Sequence, residues 1–170
     1  MKAFSCLLLL VLLLGPAQAQ SWIKASRVLI VPGKAAGVIA LGKPISSQAD
    51  MLYGKPSSVQ HADPGPGGRD TGSVVYGPPA EFELKSGFLV KLNDGKGDTN
   101  VYVIYLRGVR AYTAEGATMG QAYQKTRTIY PHAQLGIDEL GGGKTLAIPG
   151  LTMVFSNQGD KLVEMIVRSK

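Results

Sequence analysis

Two stretches of this chain repeat one order of elements, and that order narrows the possible folds more than any bulk property does. Each stretch runs from a Gly-led turn through a short amphipathic segment into a group of strands. In the first, Gly42-Lys43-Pro44 leads into Ile45 to Tyr53, where Ile45, Ala49 and Leu52 share one helical face. Pro44 suits a first helical turn, and Gly54 suits the left-handed position after a last one. In the second, Thr118 and Gln121 form a capping box, and Met119, Ala122, Tyr123, Thr126 and Ile129 recur at helical spacing until Pro131.

Strand material follows each helix. The first set is Glu81 to Leu84, Phe88 to Leu92 and Val101 to Leu106; the second is Thr145 to Ile148, Leu151 to Phe155 and Leu162 to Arg168. Arg27 to Val31 reads as an additional strand at the start. Asn93 to Asp98 and Ser156 to Asp160 are rich in residues that tolerate a reversal, and such short links imply antiparallel pairing. The expected fold is α+β: two tandem units, each a helix packed on an antiparallel β-sheet, with strands able to join in one continuous sheet. The expected boundaries are a signal peptide at 1–19, a first unit at 20–110 with a Gly/Pro loop at 63–72, and a second unit at 111–170. With 22 glycines, 10 prolines, 45% hydrophobic and 18% charged residues, the composition is that of a folded, turn-rich chain.

The leader reading rests on Lys2, the apolar block Leu7 to Leu14, the breaker Gly15-Pro16 and the small-x-small end Ala17-Gln18-Ala19, so cleavage is expected before Gln20. The apolar block is too short for a helical membrane span, which needs about 20 residues. The single cysteine, Cys6, precedes that block. The mature chain then holds no disulfide, thiolate nucleophile or cysteine-ligated metal.

Gly37-Val-Ile-Ala-Leu-Gly42, the helix to Tyr53-Gly54-Lys55-Pro56 and the hairpin after it resemble the small α+β repeat of the BamE (SmpA/OmlA) envelope domain and of the tandem-repeat β-lactamase inhibitor proteins. The resemblance implies helices on one face of an antiparallel sheet and a binding role. It transfers no functional residue, and the chain differs from both groups in its cysteines.

Tests for chemistry return little. Gly141-Gly-Gly-Lys-Thr145 lacks the first glycine of a phosphate loop, whose place is held by Asp138, and Gly65-Pro-Gly-Gly68 fails the dinucleotide spacing at Asp70. His61 and Asp63 could supply two metal ligands, but spacing places no third, and His132 follows a helix end where a cation suits the dipole. Glu81 and Glu83 alternate along a strand as residues on a solvated face do. No catalytic residue, metal or cofactor is therefore expected. The densest positive group, Arg107, Arg110, Lys125 and Arg127, contains Glu115 and no basic run, which argues against nucleic acid and leaves weak contact with anionic lipid or glycan as its sharper use.

Strand alternation sets Lys91 against Phe88, Val90 and Leu92, and Glu164 and Arg168 against Val163, Met165 and Val167. The expected binding face carries Lys91, Thr152, Glu164 and Arg168, with Tyr102 as an aromatic anchor. The functional expectation is a secreted or periplasmic, non-catalytic interaction module of the cell envelope, not transmembrane, with another envelope or secreted protein as partner. The alternative is a small envelope hydrolase or metal-dependent enzyme using His61 or His132.

Overall fold

A computed structural model describes residues 27–45, 47–60, 70–77, 87–94, 99–138 and 141–169, with the backbone alone described at 60, 70–72, 91–94 and 99. The expected leader, the strand at Glu81 to Leu84, and His61 with Asp63 lie outside these residues. In chain order the elements are β1 (Arg27–Val31), β2 (Ala35–Ala36), β3 (Ile39–Ala40), α1 (Ser47–Tyr53), β4 (Ser58–Gln60), β5 (Asp70–Tyr76), β6 (Gly87–Asp94), β7 (Thr99–Arg107) and β8 (Arg110–Thr113). Then come α2 (Tyr123–Ile129), β9 (Gln134–Ile137), β10 (Lys144–Ile148), β11 (Leu151–Phe155) and β12 (Leu162–Arg168).

Strands β4, β5, β6, β7, β12, β11, β10 and β9 form, in that order, one antiparallel sheet. Its centre is the pairing of β7 with β12, where Met165 faces Leu106 and Val167 faces Ile104. A second, four-stranded sheet runs β3, β2, β1, β8, and its β1 and β8 strands are parallel.

One face of the large sheet carries the core. Tyr76, Phe88, Leu106, Met165, Met153 and Leu146 stand side by side on six consecutive strands, all fully buried. Val28, Ile30, Ala36 and Ile39 of the small sheet join the same cluster. Both helices belong to it as well: Tyr53 of α1 lies against Phe88, with ring centroids 4.5 Å apart, and Tyr123 of α2 meets Phe155 edge-on at 5.1 Å.

The α+β expectation of two tandem helix-on-sheet units is corrected. The described residues are mostly β, in two sheets of four and eight strands, and each of the two helices among them has seven residues. The second helix is shorter than its capping box suggested. Thr118 does receive Gln121, whose Oε1 accepts from the Thr118 backbone N–H at 2.8 Å, but this closes a turn rather than a helix. Gly120 follows at φ +83°, and the segment bonds to β12 through Gly120 N–H to Leu162 O and Leu162 N–H to Gln121 O. The helix starts only at Tyr123. In α1 the buried positions are Ala49 and Tyr53, while Leu52 is 47% exposed, so its core face is rotated from the expected one. Asp70 to Gly72, expected in a loop, open β5 instead.

Candidate functional site

The face of the large sheet opposite the core is built in three rows, because directly paired residues share a face. The middle row crosses all eight strands: Ser58, Val75, Leu89, Tyr105, Ile166, Thr152, Ala147 and Gln134. On one side of it lies the row Ser73, Lys91, Val103, Arg168; on the other lies Arg107, Glu164, Val154. The expected face residues Lys91, Thr152, Glu164 and Arg168 thus occupy one face but three separate rows.

Tyr102 reaches this face through an irregularity. Lys91 pairs with Val103 and Leu92 with Val101, which leaves Tyr102 as the extra residue of a bulge in β7. Strict alternation would put Tyr102 and Tyr105 on opposite faces, since they are three apart. The slip instead lets the Tyr102 phenol act on that of Tyr105. Burial raises the Tyr105 pKa, the Tyr102 phenol and the Glu164 carboxylate raise it further, and the Arg168 guanidinium lowers it. Tyr102, Tyr105, Glu164 and Arg168 therefore form one electrostatic cluster at the β7/β12 junction. Tyr105, central to it, was not among the expected face residues.

Glu164 is 8% exposed and is held by Arg107, whose Nη2 donates to Oε2 at 3.2 Å. The two are direct cross-strand partners, and a second bulge lies just beyond them. Val154 pairs with Glu164 and Phe155 with Leu162, so Val163 is the extra residue and stands 40% exposed. Arg107 Nε is buried without a hydrogen-bond partner among the described residues.

A cavity of about 530 Å³ opens at this end of the face. Arg107, Glu164 and Asp138 are its charged walls, and Met119, Val154 and Val163 are among its apolar ones. Gly108, Gly120, Gly141 and Gly143 bare their backbone to it. Asp138 Oδ2 accepts from the Gly141 N–H at 2.9 Å, fixing the hairpin between β9 and β10. Gly143 is there for a steric reason too: a Cβ on it would lie 2.1 Å from the Phe155 carbonyl oxygen.

His132 is exposed in the turn after α2. Among the described residues no three His, Cys, Asp or Glu side chains gather as a metal site, and no helix is long and apolar enough to cross a membrane.

No family model matches the chain, and no curated protein matches it. Among solved structures, an extracellular protein containing a SCP domain from Bacillus anthracis str. Ames superposes with a TM-score of 0.50 at 14% identity, over 76% of this chain and 44% of that one. A cysteine-rich secretory protein from Staphylococcus aureus subsp. aureus Mu50 gives a TM-score of 0.49 at 14% identity, over 82% of this chain and 47% of that one. The chain spans less than half the length of either structure. The likeness to the Bacillus protein overturns the resemblance to BamE-like and tandem-repeat inhibitor proteins, which rested on a short run of residues, 37–56, around one helix. At this identity the likeness bears on the fold: over the matched stretch, the chain folds as part of a SCP-domain-containing extracellular protein does.

Proposed function

We propose that the protein is an exported, non-catalytic binding module whose open sheet face engages an acidic protein partner outside the cytosol. The observation that carries this reading is the cluster of Tyr102, Tyr105 and Arg168 at the centre of that face. Tyrosines bury a large area at low entropic cost, which suits them to the middle of an interface. The charge on the face is lopsided: Glu164 is already compensated by Arg107, while Arg168 is exposed. A partner with carboxylates at its rim matches that balance. Export is supported by the leader read at residues 1–19 and agrees with the extracellular setting of the Bacillus protein of similar fold.

The test is recovery of partners from an exported-protein fraction with the tagged mature chain and with a Tyr102→Ala/Arg168→Glu variant. Loss of recovery at an unchanged melting temperature supports the face. Unchanged recovery rejects it, and recovery lost together with the fold shows that Tyr102 serves packing.

A further inference from the structure

We propose that the cavity at the Arg107 end of the face binds a small zwitterion bearing an aliphatic group, the chemistry of a free aliphatic amino acid. This site shares Glu164 with the Tyr102 and Arg168 surface but uses neither of those two residues. Among the described residues the cavity brings one cationic side chain, Arg107, together with the carboxylates Glu164 and Asp138. A simple anion meets both carboxylates and a simple cation meets the guanidinium, whereas a ligand with a carboxylate and an ammonium answers both signs.

The guanidinium is under-used. It makes one contact with Glu164, through Nη2, and its Nε is a buried donor without a partner among the described residues. A guanidinium can hold a carboxylate by two parallel bonds, so a ligand carboxylate has donors to take. Beside these charges Met119, Val154 and Val163 give an aliphatic wall, with Val163 pushed outward by the bulge. The volume, about 530 Å³, falls in the range of small-molecule sites, and bulges recur beside such sites.

The experiment is a titration of the full chain, followed by the backbone amide shifts of Gly108, Gly120, Gly141 and Gly143. The probes are L-leucine, leucinamide, which lacks the carboxylate, and 4-methylpentanoate, which lacks the ammonium. L-leucine should shift these amides saturably with a Kd of about 1 mM or tighter, and each truncated probe should bind about tenfold more weakly. Arg107→Gln should weaken L-leucine about tenfold or more. Because that change also leaves Glu164 without its partner, Asp138→Asn is the second variant; its amide oxygen can still accept from the Gly141 N–H, and it should weaken binding. Absence of saturable shifts with L-leucine overturns the proposal. So do equal affinities for the three probes, or full affinity in Asp138→Asn.

Discussion

On the β4 to β7 side of the large sheet, α1 is held by side chains. Tyr53 packs against Phe88 at 4.5 Å and against Tyr76 at 6.1 Å, its hydroxyl bonds the backbone of Val38, and the Tyr76 hydroxyl donates to Asp50 Oδ1 at 2.9 Å. On the β9 to β12 side, α2 makes one aromatic contact, Tyr123 on Phe155, and the chain leading into it is tied down by main-chain bonds. Gly120 N–H donates to Leu162 O, Leu162 N–H to Gln121 O, and Tyr123 N–H to Asp160 O at 2.7 to 2.8 Å. The difference teaches where each side is vulnerable: the first to loss of a ring or hydroxyl, the second to backbone changes.

The largest effect should come from Phe88→Ala, which empties a fully buried site beneath Tyr53. It should cost about 3–5 kcal/mol in urea unfolding. A cost of about 1 kcal/mol would mean that the first side does not lean on this ring. Next is Gly120→Ala on the second side. Nothing lies within 4 Å of the added Cβ, so the penalty is the strain of φ +83°, about 1–2 kcal/mol. Hydrogen exchange should show protection lost in β11 and β12 while β5 and β6 keep theirs.

A third effect concerns the phenols. Burial raises the pKa of Tyr76, with the Asp50 carboxylate adding to it, and pushes that of Tyr130 up to about 12. Folded-state values above the unfolded one favour the neutral phenol in the fold. Their contribution is therefore complete below about pH 10 and is lost as pH rises through the folded values. Melting temperatures should fall above about pH 10, and Tyr76→Phe should flatten that fall more than Tyr130→Phe. At neutral pH, Tyr76→Phe should cost about 1 kcal/mol for the bond to Asp50. Smallest is Lys144→Ala, which removes the pair with Asp160 at 2.9 Å and the cation over the Tyr123 ring at 5.0 Å. Both charged partners are about half exposed, so the melting temperature should register about 0.2–1 kcal/mol.

Parts of the fold and of the candidate site were legible beforehand, for local reasons. The apolar alternation of Phe88 to Leu92 and Leu151 to Phe155 marks β6 and β11, because every second side chain there must enter the core. Gly54 takes φ +81° just after α1, as a left-handed helix end requires. Helical spacing points to Leu52, whereas Tyr53 is the residue that reaches Phe88, because spacing by itself does not say which stripe finds a partner. Arg107 was read as one member of a diffuse basic group. Its pairing with Glu164 spans 57 positions, and nothing near either residue announces it.

The sequence by itself determined the long strands, the reversal at Ser156 to Asp160 and the lack of cysteine chemistry beyond Cys6, since each is written in neighbouring residues. Only the tertiary structure decided that Ala35–Ala36, Ile39–Ala40 and Gln134–Ile137 are strands, that β1 lies parallel to β8, and that bulges set Tyr102 and Val163 out of step. Short segments of alanine, glycine and glutamine have little strand preference of their own and become strands when a partner's backbone accepts them. Pairing register is a property of two distant segments together, and a slip of one residue re-aims side chains without changing a letter of the local pattern.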